Sequence, residues 1–165
     1  YGSVVAAPVA ASVLADTLPY LGYGPKYSEE ELANSEKVVP FLLEKGVLDA
    51  KSLLAAQGFT QVQVVGSGSN VVKQVPSSGS KMPRDGTIIL YTEDVAETTA
   101  KVPNVVGLSP DQAKARLTAA KFNVVIKGSA TGHQTSKITS QSIAAGTNTP
   151  IGTVIELTCL VVDTE

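Results

Sequence analysis

Apolar residues follow three different rhythms along the chain. Between Val4 and Ala15 they run almost without interruption, broken only by Pro8 and Ser12. The pattern predicts a helix from about Val9 to Leu18, apolar nearly all round apart from Ser12, Asp16 and Thr17. Such a helix belongs inside a larger body rather than on a surface. Ser28 to Val38 is charged and lacks a sustained apolar period, as a linker or a frayed helix would. From Val39 onward, short helical periods alternate with β-branched runs, and they do so twice.

The doubling is a repeat at an offset of 63 residues. Val39-Pro40 recurs as Val102-Pro103, Ala50-Lys51 as Ala113-Lys114, Leu54 as Leu117 and Phe59 as Phe122. After four extra residues in the second copy, Gln74, Gly79 and Pro83 recur as Gln141, Gly146 and Pro150. One deletion then aligns Gly86-Thr87-Ile88-Ile89 with Gly152-Thr153-Val154-Ile155.

Local chemistry places the elements. Ser109-Pro110-Asp111-Gln112 is a capping box with proline at the first helical position, so a helix starts there and runs to about Lys121, with Ala113, Leu117 and Ala120 on one face. In copy one, Asp49 is the expected cap, Leu53 and Leu54 are the apolar anchors, and Gly58 suits a left-handed stop. Strands are expected at Val62 to Val65, Val71 to Val75 and Thr87 to Thr92, then at Asn123 to Lys127, Lys137 to Ser142 and Thr153 to Val162. Each unit reads as β-α-β-β, or as α-β-β-β if the Val-Pro segment stays irregular. The expected class is α+β: two tandem modules, each one helix on a three-stranded antiparallel sheet, preceded by the orphan apolar helix. Each is near the lower size for a self-sufficient core, and the short polar link Glu93 to Ala100 leaves two beads with room for a contact.

These motifs resemble the PASTA domain. Copy two carries Val102-Pro103-Asn-Val-Val-Gly107-Leu108-Ser109 and Gln141-Ser142 to Gly146-Thr147. Copy one carries Gln74-Val-Pro76-Ser-Ser-Gly79 but departs from the pattern at Phe41-Leu-Leu-Glu-Lys-Gly46, and copy two has Ile143 in place of the usual proline. Tyr1 to Pro8 with Leu18-Pro-Tyr-Leu21 is similar to the last strand and terminal helix of a penicillin-binding transpeptidase domain. The resemblance implies a transpeptidase remnant at 1–27, a linker at 28–37, a first module at 38–93, a second linker at 94–100 and a second module at 101–163. It implies the tail of a class B penicillin-binding protein of the division or sporulation type, on the wall side of the cytoplasmic membrane of a Gram-positive bacterium. The expected partners are uncrosslinked peptidoglycan or muropeptides, β-lactams, and the parent's own transpeptidase domain, with self-association through residues 9–21. The alternative is a structural docking module that contacts the transpeptidase domain or a division partner and binds no wall ligand.

Composition narrows the chemistry. The formal charge is -2 with a pI near 5.4 and no basic face for phosphates, so nucleic acid is not an expected partner. No apolar run reaches the ~20 residues of a membrane helix. The chain starts at Tyr1 without a signal-like segment and reads as cut from something longer. Ser78-Gly-Ser-Lys81 is the only match to a Ser-x-x-Lys nucleophile and lies between two prolines, so it reads as a loop. The lone His133 reads as a solvated loop residue, Cys159 as a core hydrophobe, and Gly66-Ser-Gly-Ser-Asn70 as a hairpin connection. No catalytic residue, metal or cofactor is expected. The binding candidates are Lys114 and Arg116, cations on an exposed helix face able to pair with carboxylates, and Gln141, whose amide equally suits turn architecture.

Overall fold

The computed structural model describes residues 36–128 and 136–161. The expected N-terminal helix and His133 lie outside the described residues. Within them the order is β1 (Glu36–Val38), α1 (Val47–Ala56), β2 (Gln61–Val65), β3 (Lys73–Val75), β4 (Lys81–Pro83) and β5 (Thr87–Tyr91). The second repeat gives β6 (Thr99–Lys101), α2 (Pro110–Ala119), β7 (Asn123–Lys127), β8 (Ser136–Gln141), β9 (Asn148–Pro150) and β10 (Val154–Val161). The α+β class and the pairing of one helix with one three-stranded sheet are as expected.

The helix ends follow their sequence signals unequally. At Ser109 the hydroxyl accepts from the Gln112 N–H while the Gln112 side chain accepts from the Ser109 N–H, closing the capping box. Helix α1 differs from expectation: it begins three residues earlier, with Gly46 at the cap and no side-chain cap bond. Asp49 instead sits in the first turn, where its charge complements the helix dipole. Both C-termini close in the same way. Phe59 N–H donates to the Leu54 carbonyl and Gly58 N–H to Ala55, and Phe122 and Lys121 repeat these bonds to Leu117 and Thr118. The left-handed residue of that motif is Gly58 in copy one (φ 87°) but Lys121 in copy two (φ 67°).

The sheets correct the expectation of all-antiparallel pairing. Strand order is β2-β5-β3 in the first module and β7-β10-β8 in the second. The central strand runs antiparallel to β3 or β8 but parallel to β2 or β7. The strand leaving the helix therefore enters on the far side of the last strand, and the residues between the two provide the crossover that parallel neighbours need. Two further strand pairs form, β1 with β4 and β6 with β9, because the chain entering each module lies along its penultimate strand, so β1 and β6 fall mostly where linker was expected. They are three residues long and mostly polar, too short to show a period.

Core parity also revises the repeat alignment. Ile88 and Leu90 face the helix in module one, and Ile155 and Leu157 do so in module two. The turn bonds Gly86 N–H to Pro83 and Thr153 N–H to Pro150 keep the same spacing. The offset set by Pro83 and Pro150 thus continues without the expected deletion, and Thr87 corresponds to Val154. The one-residue difference lies before β2, where Val62 faces inward three residues after Phe59 and Val124 two residues after Phe122.

The two modules pack together. The outer face of the first sheet carries Ile89 and Tyr91, which join Val75 and Ile151 in a shared cluster with Ala100 beside it. The Tyr91 hydroxyl accepts from the Thr98 N–H, and the Thr98 carbonyl accepts from Ile151. On the second sheet the corresponding outer positions are Glu156 and Thr158, both exposed. Apolar residues on the outer face therefore mark the sheet that is covered.

Candidate functional site

One feature repeats almost atom for atom in the two modules, and another does not. The Gln74 amide oxygen accepts from Leu42 N–H at 2.8 Å, and its nitrogen donates to the Pro40 and Pro76 carbonyls at 3.0 and 3.2 Å. Gln141 does the same with Val105 N–H at 3.0 Å and the carbonyls of Pro103 and Ile143 at 3.3 and 2.7 Å. Each glutamine ties the Val-Pro entry segment to the strand that follows the helix hairpin, and its polar groups are taken up by backbone.

Asn123 has no such counterpart; the strand register places the exposed Gln61 there. Its side chain is buried at the start of β7. The amide oxygen accepts from Thr87 N–H at 2.8 Å, while its nitrogen donates to the Thr87 carbonyl at 2.9 Å and the Gly152 carbonyl at 2.6 Å. One side chain thus pairs with the backbone of the other module as a strand would. Gly86 permits the approach, since a Cβ there would lie 2.7 Å from the Asn123 Oδ1.

Beside this joint is a shallow cleft of about 110 Å³ between the modules. Asp85, Gly86 and Thr87 form one wall, and Lys114, Thr118 and Lys121 form the other, with Asn123 at the floor. Lys114 and Thr118, four residues apart, fall on one face of α2, and Lys121 follows just past the helix end in its left-handed turn. The Lys114 ammonium contacts Asp85 at 3.4 Å, both side chains more than half exposed, so the pair is weak and exchangeable. Lys121 adds a second ammonium. The cleft presents two cations, one carboxylate and the Thr118 hydroxyl to a ligand, with an apolar base at Phe122 and Val124.

Of the three candidates, only Lys114 lines this cleft. Arg116 turns the other way round the helix and donates to the Asn104 carbonyl at 3.3 Å, on the same Pro103–Val105 strip that Gln141 holds. Asn123, Asp85 and Lys121 were not singled out by sequence. The available signal is an asparagine at the head of a Val-rich strand where copy one has glutamine.

The remaining motifs have local explanations. Gly66 to Asn70 wraps a carboxylate from its own module: Ser67 donates its N–H and hydroxyl to Glu93 at 2.8 and 2.7 Å, and Gly68 N–H donates to the Thr92 hydroxyl. The Ser67 hydroxyl, then its N–H, hold the Glu93 carboxyl below its ordinary pKa. Ser78 lies in a turn and Lys81 begins β4. Cys159 is fully buried in the second core, where burial pushes its thiol pKa up and keeps it un-ionised.

Comparison with known proteins follows the repeats. The model of the PASTA domain family matches residues 37–94 and again 100–159. Stage V sporulation protein D of Bacillus subtilis (strain 168) is 33% identical over 105 residues, which cover 61% of this chain but 16% of that protein. Among solved structures, the extracellular region of the Ser/Thr kinase PrkC from Staphylococcus aureus aligns at 19% identity with a TM-score of 0.36, covering 76% of this chain and 47% of the other. Penicillin Binding Protein 2X from Streptococcus thermophilus aligns at 18% identity with a TM-score of 0.32, covering 74% and 17%.

Proposed function

The chain belongs to the PASTA domain family through both of its repeats, and on that premise we propose that it is a non-catalytic wall-binding region of a penicillin-binding protein. Its ligand is uncrosslinked peptidoglycan, read as muropeptides, and β-lactams share the carboxylate it recognises. Its place is the wall side of the membrane, where it directs a D,D-transpeptidase to the septum or the spore cortex. The identity with a sporulation protein over 105 residues supports the parent assignment.

The observation that carries the ligand reading is the inter-module cleft. A stem-peptide carboxylate can take the place of Asp85 against Lys114, with Lys121 as the second cation and Thr118 as donor. Each added contact is exposed, so affinity is modest and falls with salt. Arg116 and Gln141 stand as a second contact strip around Pro103–Val105.

Calorimetric titration of the full chain with soluble muropeptides tests this. Saturable binding, reduced several-fold by Lys114→Glu and weakened by salt, is expected. No heat at millimolar ligand would reject it.

The alternative, a docking module for the transpeptidase domain, draws on a different observation: Lys114, Arg116 and Gln141 already have protein partners. A chain that captures isolated transpeptidase domain and ignores muropeptides favours it.

A further inference from the structure

The cleft between the modules carries polar residues that the repeat does not explain. Thr118, Lys121 and Asp85 occupy positions that Ala55, Gly58 and Gly152 fill in the opposite copy, and only Lys114 has a like counterpart, Lys51. The helix and the turn therefore form without these side chains. Lys121 also sits in a strained place: its φ of 67° is a left-handed conformation that Gly58 adopts freely in copy one. Its backbone is fixed from both sides, its N–H donating to the Thr118 carbonyl at 2.9 Å and its carbonyl accepting from Gly152 N–H at 2.8 Å.

Asp85 is the odd group of the set. It is the only acid among the residues that line the cleft, and its carboxylate lies 3.4 Å from the Lys114 ammonium while remaining mostly exposed. A bare carboxylate that moves in against Lys114 meets this charge as a like-charge neighbour, which works against binding. A ligand that carries an ammonium beside its carboxylate gives Asp85 a new partner as it loses the old one. The four groups then alternate in sign, with Lys114 against the ligand carboxylate and Asp85 against the ligand ammonium. Lys121 and Thr118 remain for a second ligand oxygen.

We propose that Asp85 sets the specificity of the cleft by selecting a stem-peptide end on which a free amine and a carboxylate share one carbon. This rests on the cleft being the ligand site, as proposed above, and adds what that site discriminates. Acylating the amine, as any cross-link through it does, removes the charge that Asp85 pairs with. One exposed carboxylate thereby distinguishes an open stem from a joined one. Because the contact is exposed, the preference is about threefold rather than orders of magnitude.

NMR titration of the full chain with two soluble muropeptides tests the proposal. One ends in a free α-amino carboxylate, and the other is the same compound acetylated on that amine. Wild type is expected to bind the free amine about threefold more tightly, with amide shifts at Asp85 to Thr87 and Lys114 to Asn123. In D85N the two affinities become equal, while D111N, which removes an exposed acid from the first turn of α2 outside the cleft, keeps the preference. K114A weakens both compounds and so reports on the cleft itself. Equal affinities in wild type, with shifts on the cleft walls, would overturn the role of Asp85 and leave the cleft as the ligand site. A preference that survives D85N, or that D111N abolishes as well, would overturn it too. No binding of either compound, or shifts away from the walls, would reject the cleft as the ligand site and this inference with it.

Discussion

Replacing Asn123 by alanine removes a side chain that hydrogen-bonds the two modules together. It leaves the Thr87 N–H and the carbonyls of Thr87 and Gly152 without their present partner, at a site where Asn123 is 5% exposed. A net 0.5–1.5 kcal/mol per hydrogen bond, with an added penalty for groups that stay dry, gives a loss of about 3 kcal/mol. Water entering the opened joint lowers that figure, so about 2 kcal/mol is the floor of the expected range. The modules' separate cores do not involve Asn123, so the damage falls on their coupling. Scanning calorimetry of the full chain should show one transition in wild type and two in Asn123→Ala, with the lower one shifted down by several degrees. Lys114→Ala is the control, since it breaks only an exposed pair and is expected to cost under about 0.5 kcal/mol. A single transition in Asn123→Ala, displaced no further than in the control, would refute the reasoning.

Other expectations are as specific. Glu44 (φ 66°) and Lys121 (φ 67°) occupy left-handed positions held by Gly107 and Gly58 in the opposite copies, so Glu44→Gly and Lys121→Gly should each stabilise by about 1 kcal/mol in denaturant unfolding. Gln74→Ala and Gln141→Ala should destabilise their own modules by about 2 kcal/mol, with the buried Gln74 costing more than the partly exposed Gln141. The Glu93 carboxyl is held below its ordinary pKa, so its contribution is fully present above the unfolded value and is lost as pH falls through the folded one. The Ser67 amide resonance should therefore move with acidification below the ordinary glutamate range, and Glu93→Gln should abolish that titration.

Much of this architecture is legible in the residues because its signals are local. Ser109, Pro110 and Gln112 specify a helix start within four positions, and β-branched runs mark the three strands of each module's main sheet. What escapes reading is non-local. Whether β2 pairs with β5 in parallel depends on the order in which strands stack, which period-two patterns do not encode. Strands β1 and β6 are polar because they lie at an edge, so they look like linker. The cap of α1 was misplaced because glycine at 46 gives no side-chain signal, while Asp49 three residues later mimics one. The candidate site was half legible. Lys114 could be found as an exposed cation, but its significance depends on Asp85 and Asn123, which only the packing of the modules brings beside it.

The most direct measurement is an NMR titration of the full chain with a soluble muropeptide, following backbone amides in both modules. The account predicts saturable shifts gathered at Asp85 to Thr87 and Lys114 to Asn123, on the two walls of the cleft. Shifts confined to one module away from those walls, or none at millimolar ligand, would contradict it.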